Sequence, residues 1–221
     1  MLYSNKDLKK LILPLVLEQF LAILVGMVDT VMISGVGEAA VSGVSLVDNI
    51  NILVINITAA MATGGAVVAG HFLGQKDSES AGKAAWQLIL FSSAASVVIF
   101  LMLVAFHRPL LYAIFGNVEA EVMSSAVTYL LITAISIVPL AVYNSCAALF
   151  RAMNGAKTTL MISILMNAIN VVGNAILIFG AGMGVAGAAI ATTVSRTVAA
   201  IAIFGMMFQT DRQIHIKGRV D

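Results

Sequence analysis

Apolar stretches of roughly 20 residues, separated by short polar or glycine-rich breaks, recur six times along the chain. They run over about 11–33, 44–72, 84–106, 122–148, 156–179 and 184–208. Each is long enough to carry a helix across the hydrocarbon of a bilayer, and the second and fourth are long enough to tilt or to project beyond it. The pattern predicts an all-α integral membrane fold: six transmembrane helices forming one bundle. No proline- or serine-rich linker divides the chain, and no internal three-plus-three repeat is evident. Residues 1–210 therefore read as one six-helix lobe, and 211–221 as a polar cytoplasmic tail or a linker to a further lobe.

Composition agrees with the pattern. The chain is 60% hydrophobic and 10% charged, against about half and about a quarter in an ordinary soluble domain. Its 12 basic and 11 acidic residues cannot cover the surface of a 221-residue soluble protein. The lipid bilayer is its outer solvent. A net charge of +1 gives no reason to expect nucleic acid as a partner. The single cysteine, Cys146, excludes an internal disulfide and reads as a small residue within a helix. The N-terminus starts charged, as a signal peptide does, but its apolar run continues past Glu18 and Gln19 to about residue 33 and reads as a retained first span.

Orientation follows from the basic residues. Ten of them, Lys6, Lys9, Lys10, Lys76, Lys83, Arg151, Lys157, Arg212, Lys217 and Arg219, fall in one set of connections, and only Arg108 in the other. Both ends of the chain are expected on the cytoplasmic side of the cell membrane, with Glu38, Glu119 and Glu121 outside.

The remaining basic residue, Arg196, lies inside a span, as do Glu18, Asp29 and Asp48. Ionisable groups at bilayer depth cost roughly 2.5–3.5 kcal/mol each on insertion scales and persist where they are paired, hydrated or functional. Glu18 and Asp29 are 11 residues apart, which at about 100° per residue returns to within about 20° of one helix face. One face of the first helix is therefore acidic. Asp29 falls in its outer half and Glu18 in its inner half, where a hydrogen bond to a neighbouring helix and a functional role are equally consistent with the pattern. Asp48, together with Asn49 and Asn51, reads as a first-turn acid at the start of the second helix, favoured by the helix dipole. Arg196 reads as a structural tie between helices.

Asn167, Asn170 and Asn174 follow one another at i, i+3 and i+7 and place three amides on one face of the fifth span. Such a stripe can be interhelical glue, but amide, carboxylate and hydroxyl oxygens are also the ligands that hard cations take. Thr192 and Thr193 supply hydroxyls in the sixth span. Pro14 and Pro139 permit bends, and the glycine clusters in "TGGAVVAG" and "GAGMGVAGAAIA" permit close helix approach. The motifs of nucleophilic, metal-hydrolase and nucleotide chemistry are missing from the sequence, and His71, His107 and His215 lie at span ends or in the tail, so an enzyme is not expected and no cofactor is called for.

Four stretches in order resemble the multidrug and toxic compound extrusion family, specifically its amino-terminal lobe. They are "LPLVLEQFLAILVGMVDTVMISGVGEAAVSGVSL", "GGAVVAGHFLGQKD", "ALFRAMNGAKTT" and "NAINVVGNAILIFGAGMGVAGAAIATTVSR", which together span nearly the whole chain. The resemblance implies two six-helix bundles alternating access to a cavity, and export of small organic cations driven by inward flow of Na⁺ or H⁺. It implies that Asp29 is the cation-coupling acid, with Asn170, Asn174 and Thr192 at cation-site positions where Na⁺ would bind; Glu18 and Asp48, from their place in the spans, are candidates for secondary polar sites. In one branch of the family the position of Asn174 is a second aspartate, so its amide here leaves Na⁺ ligation and proton coupling through Asp29 alone both open. On this reading Asp29 is kept in the membrane because its charge is neutralised by something that comes and goes.

The family has twelve helices and this chain six. A missing carboxy-terminal lobe and a second copy of the chain are the two partners the resemblance allows, since an even number of spans lets two copies associate in parallel. Other functions weighed are a lipid-linked precursor flippase of the same superfamily and a non-transporting membrane subunit. A flippase for an anionic headgroup calls for a more cationic cavity than Arg196 alone provides.

Overall fold

The computed structural model describes the backbone of residues 5–208 and residue 214, with the side chains of 12–208 and 214. The tail expected at 211–221 lies outside the described residues except for Ile214, and the side chains of Lys6, Lys9 and Lys10 lie outside them as well.

Five helices are long and apolar enough to cross a membrane, and a sixth span is made by a bent pair. In chain order they are α1 (Asn5–Ser34), α2 (Glu38–Gly74), α3 (Ser78–Phe115), the pair α4 (Ala120–Ala134) and α5 (Ile137–Ala152), α6 (Ala156–Asn174) running into a π-helical segment (Ala175–Gly180), and α7 (Gly184–Met206). The six expected spans are all present as helices.

Three differences from the hydropathy reading have physical causes. First, α2 begins at Glu38, so Asp48 sits ten residues inside the helix and not in its first turn. Glu38 takes the first-turn place, where the helix dipole favours an acid. Second, α3 continues to Phe115, past the expected end at 106, with a non-helical φ/ψ of −114°/18° at Phe106. That kink lies three residues before Pro109, whose ring and missing N–H disturb the preceding turn. Third, the fourth span is broken at residues 135–136, and its halves meet at 51°. Pro139 falls in the first turn of α5, where its missing N–H costs nothing, and it prevents the α4 ladder from continuing through. By contrast α1 runs continuously through Pro14.

A break at membrane depth leaves backbone groups that lipid cannot satisfy. α7 supplies the partners: Thr193 Oγ1 donates to the Ile132 carbonyl at 3.0 Å, and one turn later Arg196 Nη1 donates to Ser136 Oγ, also at 3.0 Å. The Ser136 hydroxyl in turn donates to the Thr133 carbonyl at 2.6 Å. Arg196 thus ties α7 to the α4–α5 break.

Two apolar cores stack along the bundle. The one nearer Glu18 is rich in small residues, including Ala62, Ala66, Ala69, Ala81 and Ala85, which let α2 and α3 approach closely beside α5 and α7. Cys146 is fully buried in it. The one nearer Asp29 is built from larger aliphatics such as Val47, Ile50, Leu103, Leu111, Leu130 and Ile178. Glycine sets the tightest contact there: a Cβ on Gly43 of α2 would come within 2.8 Å of the Val122 carbonyl oxygen of α4. α1 lies at the edge of the bundle, packed chiefly on α6, with Leu13, Phe20, Met27 and Val31 exposed.

Candidate functional site

The site is assembled by α1, α6 and α7. Helical spacing aims Asn170 and Asn174, one turn apart and both buried, at the face of α1 that carries Asp29. Asn174 Nδ2 donates to Asp29 Oδ1 at 2.7 Å. With the Asn170 amide nitrogen toward α1, it donates to both carboxylate oxygens, at 2.9 and 3.1 Å, while its oxygen accepts from Thr192 Oγ1 of α7 at 3.2 Å. Asp29, Asn170, Asn174 and Thr192 therefore form one hydrogen-bonded cluster across three helices. Asn174 Oδ1, buried beside them, has no hydrogen-bond partner.

The electrostatic character of this cluster comes from what is missing. Among the described residues no Lys or Arg nitrogen lies within ion-pair distance of Asp29. Its partners are neutral amides, so a negative charge on it is solvated by dipoles and matched by no fixed cation.

The cluster opens onto a cavity of about 520 Å³ enclosed by α1, α2, α4, α6 and α7. Asp48, Asn51, Tyr129, Asn167 and Arg196 line other parts of its wall. The depth of α2 thus brings Asp48 to the same cavity as Asp29, and all three amides of the α6 stripe face it. Among the described residues no group of three or more His, Cys, Asp or Glu side chains gathers to hold a metal ion. The donors present are oxygen atoms around one carboxylate, the set suited to a proton or a hard monovalent cation.

Glu18 stands apart from this cavity. Its side chain is 15% exposed, with Arg151 Nη1 of α5 at 4.0 Å and Thr159 Oγ1 of α6 donating to it at 3.4 Å. Sequence reasoning counted Arg151 as a loop charge and did not pair it with Glu18. Nor did it find Tyr129, and it read Arg196 as a structural tie between helices without naming Ser136 as its partner.

The MatE family model matches residues 14–176. The chain belongs to the MatE family. Among curated relatives, the "Probable multidrug resistance protein NorM" of Thermotoga maritima is 29% identical over 220 residues, covering 98% of this chain and 47% of that protein. An "Uncharacterized transporter YisQ" of Bacillus subtilis is 29% identical over 212 residues, covering 92% of this chain and 45% of that protein. Among solved structures, an outward-facing multidrug resistance MATE family transporter of the MOP superfamily matches with a TM-score of 0.89 at 24% identity, over 97% of this chain and 47% of that one. A MOP superfamily transporter from Pyrococcus furiosus gives 0.90 at 22% identity with the same coverage. Likeness at this identity establishes the fold. This MatE-family chain spans about half the length of the curated relatives it matches, and it is a multi-pass membrane protein.

Proposed function

We propose that this chain is one six-helix lobe of a secondary active transporter that exports organic cations from the cell by antiport with Na⁺ or H⁺, lying in the cytoplasmic membrane with both of its ends inside. The observation that carries the reading is Asp29: a carboxylate on the wall of a cavity of about 520 Å³, bonded to two amides and left without a fixed counter-cation.

An amide can present either its nitrogen or its oxygen to a neighbour, and at Asn170 the two choices have opposite consequences for Asp29. With its nitrogen toward Asp29 it stabilises an empty, ionised carboxylate. Turned over, its nitrogen donates to Thr192 Oγ1 at 3.2 Å, and its oxygen takes the place that lies 2.9 and 3.1 Å from the two carboxylate oxygens. Oxygens that close repel unless a cation or a proton sits between them. The unpartnered Asn174 Oδ1 is a further oxygen available to a Na⁺ ion. Loading the site then exchanges N–H···O ties between α1 and α6 for ties through the bound ion. A ligand shifts a conformational equilibrium only by its differential affinity for the two arrangements, and this exchange provides one. The inner and outer states it biases need a second lobe, whether a carboxy-terminal half or a second copy of this chain.

The test is efflux of a fluorescent organic cation from energised cells lacking their own pumps, comparing this chain with Asp29→Asn at matched membrane levels. Export by the parent and at least a tenfold loss in Asp29→Asn is the expected result. Equal export by both overturns the role of Asp29. If neither exports, repeating the comparison with a complementary second lobe co-expressed decides between an inactive half and a wrong reading.

A further inference from the structure

Two carboxylates and one guanidinium share the cavity wall. Asp29 and Asp48 are on α1 and α2, and Arg196 is on α7. With all three ionised the cavity carries one net negative charge. Arg196 does not cancel either acid by direct pairing: among the described residues no carboxylate lies within 4.0 Å of it, and its Nη1 is held by Ser136 Oγ at 3.0 Å instead. Ser136 is fully buried at the α4–α5 break and is itself fixed on the Thr133 carbonyl. The guanidinium is therefore a stationary positive charge, placed by hydrogen bonding and facing the volume that a cargo would enter.

We propose that Arg196 sets the valence of the cargo: as a resident cation anchored on Ser136, it leaves the cavity one net negative charge and so favours singly charged cations over doubly charged ones. The inference rests on the reading of the cavity as a cation site. The physics is the sign and additivity of Coulomb interactions within a partly desolvated space. Attraction to the cavity's single net negative charge grows in proportion to a ligand's charge, while the cost of dehydrating the ligand grows as the square of its charge, so one net charge holds a monocation and falls short of offsetting the dehydration of a dication. Each unit of charge on a ligand also meets the same potential from Arg196, so Arg196 weakens a dication by the square of the factor by which it weakens a monocation. A single net charge also makes coupling ion and cargo compete for the cavity, since either one neutralises it. Two acids without Arg196 would hold both at once.

The experiment is equilibrium binding to the purified protein in lipid nanodiscs at fixed ionic strength, with tetraphenylphosphonium as the monocation and methyl viologen as the dication. The parent is expected to bind the monocation and to bind the dication at least tenfold more weakly. Arg196→Gln keeps a polar N–H donor on a shorter stem and removes the charge. It is expected to tighten the monocation about threefold and the dication about tenfold, the square of the first factor. Arg196→Lys keeps the charge and is expected to leave both within about twofold. Asp48→Asn changes the net charge in the opposite direction, and weakening that follows the same square relation carries the test if Arg196→Gln does not fold. Equal shifts for the two ligands, or none, overturn the role of Arg196 while leaving the cation cavity standing. A parent that binds neither ligand removes the cavity reading, and this inference with it.

Discussion

The two acids of α1 lie on one helix face, yet the bundle treats them oppositely. Glu18 meets a permanent cation, Arg151, and the Thr159 hydroxyl, with the Tyr143 hydroxyl close by. Asp29 meets amides and, among the described residues, no cation within ion-pair distance, and it shares the wall of a cavity with the more distant Arg196. A fixed counter-charge stabilises one ionisation state and leaves nothing for a transient ion to do. Neutral dipoles that can present either N–H or C=O stabilise both the empty and the occupied site. The comparison teaches that the partner, more than the acid, separates a structural carboxylate from one suited to exchange. The surroundings agree: an alanine-rich, closely packed core near Glu18, and larger aliphatics framing an open volume near Asp29.

The strongest way to break the comparison is to give Asp29 what Glu18 has. Asn174→Lys places a cation on the residue that bonds Asp29 at 2.7 Å, and it is expected to lower Na⁺ or organic-cation affinity at least a hundredfold, as read by equilibrium binding. A protein that still binds cations normally would show that Asp29 is not where they are held. The converse change gives Glu18 what Asp29 has. Arg151→Gln leaves the Glu18 charge with neutral partners only. Because the pair is partly exposed and 4.0 Å apart, its loss is expected to cost about 1–2 kcal/mol, between the ranges for surface and buried pairs. A melting temperature lowered by a few degrees reads this out, and adding Glu18→Gln should recover most of it. Cation affinity at Asp29 should stay within about twofold in both variants.

How far the sequence carried this contrast depends on what each residue needs to be recognised. The helices were legible because 20-residue apolar runs have one use in a bilayer, and the shared face of Glu18 and Asp29 follows from helical periodicity alone. Asn170 and Asn174 were legible as a stripe, and the resemblance joined them to Asp29 and Thr192. The break at 135–136 was hidden because "TAISIVPL" stays apolar through it, and Pro139 marked a bend without locating the break three to four residues earlier. Asp48 was misplaced because "EAAVSGVSL" has too little hydrophobic weight to announce helix, although small residues there let α2 pack on α4. Arg151 was hidden by its position at the end of α5, where a basic residue reads as an orientation signal and not as a partner for an acid three spans earlier.

The smallest effect tests the quiet side of the contrast. Each region holds a buried polar oxygen without a hydrogen-bond partner: Asn174 Oδ1 beside Asp29, and Tyr143 Oη in the alanine-rich core. Glu18 and Ser163 are the polar groups beside the Tyr143 hydroxyl, and if its approach to them contributes little, it is a group that folding desolvates for small return. Removing it as Tyr143→Phe takes away no contact of full hydrogen-bond geometry, and it leaves the ring that fills the core in place. The expected outcome is stability within about 0.5 kcal/mol of the parent, or slightly above it, by thermal unfolding in detergent, with cation affinity unchanged. A loss of 2 kcal/mol or more would mean that the hydroxyl bonds Glu18 or Ser163 in the working protein, whereas a change in cation affinity would mean that it helps to hold an ion there. In the latter case the Glu18 region would be a second exchangeable site, and the distinction between fixed and transient counter-charges would no longer separate the two halves of α1.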